Sequence, residues 1–230
     1  YGGAVTPNRG IDADFLALKP AALDFRQAAA LPLVVITAWE GLVDHARLQP
    51  GQTVLVLGGA GGVGHVTVQI AQAMGAKVFA TASQKDFDYL ASIGATPIDR
   101  DMPVSDLVAR YTGGEGFDIV YDTVGGPAID MAFEAVKVRG HVTSALGREA
   151  HNLAPLSLRA ATYSAVFTLL PLLTGKGRKH HGDILRDIAM MADAGQIIPR
   201  LDPRRFGLED ITAAHAAVTG KPAGKVIIDI

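Results

Sequence analysis

Apolar positions recur along this chain in two alternating rhythms. Short runs of β-branched and aliphatic residues, such as Thr53-Val54-Leu55-Val56-Leu57, give way to stretches where Val63, Val66, Ile70, Ala73 and Met74 fall at helical spacing. The first kind predicts strands covered on both faces, the second amphipathic helices. From Thr53 onward the pattern predicts strands at Thr53–Leu57, Lys77–Thr81, Thr96–Asp99, Phe117–Tyr121, Gly140–Ala145 and Tyr163–Leu169. Helices are predicted after Gly64, over Phe87–Ile93 and Val104–Tyr111, and from Gly125-Gly126-Pro127 to about Val136. This alternation implies an α/β fold: a Rossmann-like doubly wound parallel sheet with right-handed crossovers.

The flanks read differently. Tyr1-Gly2-Gly3 and Pro7-Asn8-Arg9-Gly10 are turn material, and Phe15–Leu18 is expected as a short strand ended by Lys19-Pro20. Asp24 with Gln27 three residues on has the pattern of a capping box for a short helix. Pro32 interrupts it, and a second helix is expected over Val34–Ala46. Beyond Leu173 come a basic loop at 175–182, helices over Ile184–Ala194 and Leu208–Val218, and a closing strand over Lys225–Ile230. Residues 1–22 and 174–230 are expected to form one unit, with the sheet of residues 23–173 inserted between them. Because the first residue is Tyr1 rather than a methionine, further chain is expected before it.

Between the first strand and its helix, Gly59, Gly61 and Gly64 satisfy G-x-G-x-x-G. A lone match of this kind is weak, but the strand before it and the helix after it are the context that dinucleotide binding requires. In that reading the first glycine permits a tight turn and the second lets backbone N–H groups approach a pyrophosphate. The third lets the helix sit close to the strand, its positive end facing the phosphates. Gly59, Ala60, Gly61, Gly62 and Val63 are therefore the expected pyrophosphate contacts. Further contacts belong at the carboxyl ends of the other strands: 81–85, 122–125 with Val124, 145–147 and 169–170. NAD sites place an acid at the end of the second strand. Here Ala82 or Ser83 stands there with Lys85 close behind, and a hydroxyl and an ammonium favour a 2′-phosphate. NADP(H) is expected over NAD(H), with Asp86 read as a residue of the next helix N-terminus.

Composition narrows the remaining classes. Hydrophobic residues at 49% and charged residues at 19% describe a folded, core-rich chain. A formal net charge of -2 argues against a nucleic-acid or membrane-surface partner, and no apolar run reaches membrane-spanning length. With no cysteine there is neither a disulfide nor a thiolate metal site, which fits a cytoplasmic protein. No P-loop motif is present, and none of the five tyrosines has a lysine four residues on, so the Tyr–Lys pair of short-chain dehydrogenases is missing. His180-His181 read as solvated residues of the basic loop rather than metal ligands, and His65 as a packing residue at a helix start.

Several stretches go beyond a generic fingerprint. Leu18-Lys19-Pro20-Ala21-Ala22-Leu23 and Ala28-Ala29-Ala30-Leu31-Pro32-Leu33-Val34-Val35-Ile36-Thr37-Ala38-Trp39 resemble the segment before the cofactor domain of medium-chain dehydrogenases/reductases. With Gly58–Gly64, Thr112–Asp118 and Gly224-Lys225-Val226-Ile227, the resemblance is to the quinone oxidoreductase (zeta-crystallin-like) branch, from about Phe15 onward. It implies a homodimeric enzyme that moves hydride from NADPH to a quinone or an activated alkene (an enone or enal), with remnants of a GroES-like β-rich domain flanking the sheet. Most of that domain's N-terminal part is absent from this chain. By the same resemblance Thr37 lies beside the nicotinamide, and the loops at Ala145-Leu146-Gly147 and Phe167–Leu169 hold its carboxamide end. The strand at Tyr163–Phe167 pairs across the dimer. Zinc-dependent relatives carry a cysteine where Leu33 stands, so no zinc is expected and alcohol-dehydrogenase chemistry is disfavoured. A dinucleotide-binding module that senses redox state without turnover is the alternative from another class.

Overall fold

The structure is a computed structural model describing residues 12–220 and 222–230. The turns expected at Tyr1–Gly3 and Pro7–Gly10 lie outside the described residues. The chain divides into two compact units, Val34–Thr168 and the flanking segments Tyr1–Leu33 with Leu169–Ile230. In chain order, α1 (Phe25–Ala29) and α2 (Pro32–Trp39) lead to β1 (Thr53–Leu57), α3 (Gly64–Ala73), β2 (Lys77–Ala82) and α4 (Phe87–Ser92). Then follow β3 (Thr96–Asp99), α5 (Val104–Thr112), β4 (Phe117–Asp122), α6 (Pro127–Ala135), β5 (Val136–Ser144), α7 (Ala154–Arg159) and β6 (Thr162–Ala165). The chain closes through α8 (Leu170–Thr174), α9 (Arg178–Asp193) and α10 (Ile211–Thr219).

The six strands form one all-parallel sheet in the order β3-β2-β1-β4-β5-β6. This is the order of dinucleotide-binding folds: the direction of winding reverses between β1 and β4, which opens a crevice at their carboxyl ends. Alternation along the strands explains how both faces are covered. Leu55, Leu57, Val120 and Val142 turn to one side and form a core with Leu107 of α5 and Ile129 and Phe133 of α6. Tyr121 turns to the other side, where its hydroxyl donates to the Thr37 carbonyl of α2 at 2.6 Å. No helix among the described residues is long and apolar enough to cross a membrane.

Several elements depart from the periodicity reading, each for a local reason. The helix expected over Val34–Ala46 is α2 followed by a π-helical turn, Glu40–His45. The bond that Tyr121 gives to the Thr37 carbonyl loads an acceptor of the turn where the helix widens. β5 begins at Val136 rather than Gly140. Val136 pairs with Phe117 while His141 pairs with Ile119, so 137–140 bulge out of the ladder, with Arg139 at φ 60°. β6 ends at Ala165 rather than Leu169, which takes helical backbone angles as the residue before α8.

In the flanking unit, Phe15–Leu18 is not a strand: Ala13–Phe15 is a 3₁₀ turn capped by the Asp12 carboxylate, which accepts from Asp14 N–H at 3.1 Å. The capping box at Asp24 and Gln27 forms as expected. His180 and His181 sit in the first turns of α9, not in a loop. His181 is buried, its ring 5.9 Å from that of Phe15. The closing segment makes two isolated bridges, Leu201 with Lys225 and Phe206 with Ile228, instead of a strand. Between Leu201 and Phe206 the buried Asp202 carboxylate accepts from Arg204 N–H at 3.1 Å, making a turn around Pro203 that breaks the ladder.

Candidate functional site

The turn after β1 is shaped by what its residues lack. Gly58 adopts φ 77°, so it, rather than Gly59, takes the left-handed position of the tight turn. A Cβ on Gly59 would lie 2.5 Å from Ala80 Cβ, so Gly59 is held against β2. A Cβ on Gly64 would fall on the Gly58 carbonyl oxygen, with Gly59 Cα at 2.8 Å; only glycine lets α3 start this close to β1. Thr81 pins the turn from β2: its hydroxyl accepts from Gly58 N–H at 3.1 Å and its carbonyl from Gly59 N–H at 3.0 Å. His65, buried as expected of a packing residue, has Nδ1 2.9 Å from the Gly61 carbonyl.

Gly61 is exposed, with Ala60, Gly62 and Val63 half-buried beside it. Among the described residues the N–H groups of Gly62 and Val63 make no hydrogen bond within the chain, and they stand at the N-terminus of α3. Donors at the positive end of a helix, with no side chain between them and solvent, fit a pyrophosphate.

The turn after β4 closes the other wall of the crevice. Asp122 is fully buried and accepts from Val124 N–H at 2.9 Å, Gly125 N–H at 3.1 Å and Ser144 Oγ at 2.7 Å. Thr123 Oγ1 donates to the Leu57 carbonyl at 2.7 Å, tying this turn to β1. A Cβ on Gly58 would lie 2.7 Å from Val124 Cγ2, so the two turns meet there. After β5, Ala145 N–H donates to the Asp122 carbonyl at 3.1 Å and Leu146 N–H to Ser144 Oγ at 3.0 Å. A Cβ on Gly125 would sit 3.0 Å from Leu146 Cβ. Val124 and Leu146 are exposed, at 54% and 44%. The structure thus brings Gly58–Gly64, Val124 and Ala145–Gly147 to one edge of the sheet.

Thr37 is buried on α2, its carbonyl bound to Tyr121 near the carboxyl end of β4. Phe167 is exposed just past β6, and Leu169, also exposed, belongs to the flanking unit. At the end of β2, Ser83 is half-buried and donates its hydroxyl to Asp86 at 2.9 Å, while Lys85 is exposed. Asp86 precedes α4 but caps no N–H there; its carboxylate faces Ser83 instead. Sequence reading placed Asp122 only within the 122–125 strand end and missed its buried role and Ser144. The available signal was an acid closing an apolar strand ahead of Thr123-Val124-Gly125-Gly126, the pattern of an Asp that binds backbone N–H groups two and three residues on.

The comparisons agree with this geometry. Residues 62–170 match the zinc-binding dehydrogenase family model. A solved alcohol dehydrogenase superfamily protein from Novosphingobium aromaticivorans is 54% identical, with a TM-score of 0.94 over 96% of this chain and 68% of that one. The 2-methylene-furan-3-one reductase of Solanum lycopersicum is 32% identical over 98% of the chain. The chloroplastic NADPH-dependent alkenal/one oxidoreductase of Arabidopsis thaliana is 31% identical over 98%. The chain spans 52% and 53% of the lengths of these two relatives. The residues present do not fit the zinc of the family model's name. The chain has no cysteine, Leu33 is an exposed aliphatic residue, and no three His, Asp or Glu side chains come together among the described residues. Sheet order, glycine turn and sequence likeness together place the chain in the alcohol dehydrogenase superfamily of medium-chain dehydrogenases/reductases.

Proposed function

We propose that this chain is the cofactor-binding portion of a zinc-free, NADPH-dependent reductase of the quinone oxidoreductase type, acting on an enone, an enal or a quinone. The observation that carries the reading is the glycine turn, where the lack of a Cβ at 59 and 64 lets β2 and α3 close in and leaves the Gly62 and Val63 N–H groups at the α3 N-terminus, beside Val124 at the β1–β4 crevice. Relatives named for an alkenal/one substrate and for a 2-methylene-furan-3-one support the activated alkene over a simple alcohol. When bound, NADPH supplies the hydride, and the protein's contribution is orientation and exclusion of water.

In this reading Gly59–Val63 hold the pyrophosphate, Val124 and Ala145–Gly147 the nicotinamide half, with Phe167 and Leu169 beyond, and Thr37 backs the ring. Ser83 and Lys85 receive the 2′-phosphate once Ser83 releases Asp86. The active form is a cytoplasmic homodimer joined through the exposed edge of β6 at Tyr163–Phe167, and residues 1–22 and 174–230 belong to a second, GroES-like domain.

Titration with NADPH and NADH, followed by nicotinamide fluorescence, tests the cofactor assignment. NADPH should bind more tightly, and Ser83→Asp should weaken it by about tenfold or more by placing a carboxylate beside a phosphate. Unchanged NADPH affinity in Ser83→Asp would overturn the 2′-phosphate assignment. NADPH that binds yet is not consumed with a simple enone or quinone would favour a redox-sensing module.

A further inference from the structure

Buried polar groups behind the crevice hold its turns from within. Asp122 and Ser144 are both fully buried, and Ser144 donates its only proton to Asp122 Oδ2 at 2.7 Å. A serine oxygen has two further sites, both acceptors. One takes Leu146 N–H at 3.0 Å. Tyr163 of β6 lies on the same face of the sheet, paired with Val142 two residues before Ser144. Burial and the Asp122 charge raise the Tyr163 phenol above its ordinary value, so the hydroxyl keeps its proton through the neutral range. Its ring is fixed edge-on to Phe133, centroids 5.5 Å apart at 85°.

Each of these groups sets a turn. Asp122 holds the N–H groups of Val124 and Gly125, and Ser144 holds that of Leu146. The Tyr163 hydroxyl occupies the place a Cβ at Gly147 would take; the next ring atom, Cζ, is 3.4 Å from it. In a sheet of this order a dinucleotide crosses the switch point, one nucleotide half over β1–β3 and the other over β4–β6. The turns these residues fix all belong to the second half.

We propose that Asp122, Ser144 and Tyr163 are positioning residues that shape the seat of the nicotinamide half, and that Tyr163 requires glycine at 147. This rests on the NADPH reading above. Tyr163→Phe keeps the ring and removes only the hydroxyl that rests against Gly147. Its test compares two ligands on the same protein: NADPH, and 2′-phospho-ADP-ribose, which lacks the nicotinamide. NADPH should bind about tenfold more weakly to the variant, with the fragment unchanged. Equal weakening of both, as a general structural defect would give, or no weakening of either, overturns the proposal. Wild-type protein that binds neither ligand overturns the NADPH reading itself, a result visible before any variant is made. Gly147→Ala gives a second measurement. It should weaken NADPH binding in the wild-type background but add nothing in Tyr163→Phe, where the obstructing oxygen is gone. Additive losses would again overturn the proposal.

Discussion

The turn after β1 and the turns after β4 and β5 meet at Gly58 and Val124, yet they are held by opposite means. At the first, side chains are missing: Gly58 bends left-handed, and Gly59 and Gly64 leave room for β2 and for the Gly58 carbonyl. At the others, buried side chains stand in for a backbone ladder: Asp122 and Ser144 collect the N–H groups of Val124, Gly125 and Leu146. The first device leaves peptide N–H groups bare for a ligand, while the second spends them inside the protein and presents Val124 and Leu146 as apolar contacts. A phosphate needs the former and an aromatic ring the latter, so the contrast matches the two ends of one cofactor.

The comparison breaks most visibly at Gly64. An added methyl would meet only backbone, the Gly58 carbonyl with its carbon at 2.9 Å and Gly59 Cα at 2.8 Å, so no rotamer change relieves it. Gly64→Ala should force α3 away from β1, cost about 3 kcal/mol in urea unfolding and abolish NADPH binding in the same titration. At Gly61 a Cβ would meet the Gly58 oxygen at 3.2 Å, and Ala there should be far milder in stability even where it hinders NADPH. Equal stability losses at 61 and 64 would mean that helix–strand approach is not what the glycine turn protects.

The second device gives way at Asp122. Asn is nearly isosteric, but its NH₂ cannot accept, so one of the Ser144 and backbone donors loses its partner in a fully buried place. Asp122→Asn should lower stability by about 2 kcal/mol, read as a shift of the urea midpoint at constant slope. Binding of NADPH should fall with it, while the pyrophosphate end keeps its geometry. A stability loss with NADPH affinity intact would separate the buried carboxylate from the cofactor and leave the two turns unrelated.

Why one device was legible in sequence and the other was not follows from range. Strand runs, helix spacing and the glycine triplet are local patterns, so the sheet and the glycine turn could be read, even though the left-handed residue is Gly58 and not Gly59. Asp122 and Ser144 signal their bond only once β4 and β5 are in register, Asp122 opposite Ser144. Tyr163 adds a third strand to the same account. The misplaced ends have the same origin. The 137–140 bulge depends on where α6 delivers Val136, and His181 is buried because Phe15, far away in sequence, packs on it. At Ser83 the local reading found the hydroxyl and missed that Asp86 folds back onto it.

Asp118 sharpens the comparison as a control with the smallest expected effect. It bridges β1 and β4, the same two strands, but at their amino ends, away from the crevice. Its carboxylate accepts from Thr53 N–H at 2.8 Å and Thr53 Oγ1 at 2.7 Å, and pairs with Lys137. Burial pushes its pKa up, but the Lys137 and Thr53 bonds outweigh that and hold it below the ordinary carboxylate value of 3.8. A folded-state pKa that is depressed contributes stability above the unfolded value and loses it as pH falls through the folded one. Asp118→Asn should therefore cost about 1 kcal/mol at pH 7. That difference from wild type should shrink as the urea midpoints are followed to below about pH 3.8, where the wild-type carboxyl also becomes neutral. NADPH affinity should not change at pH 7. If Asp118→Asn weakens NADPH as much as Asp122→Asn does, what matters is the joining of β1 to β4 as a whole, and the special role of the turns at the carboxyl edge is lost.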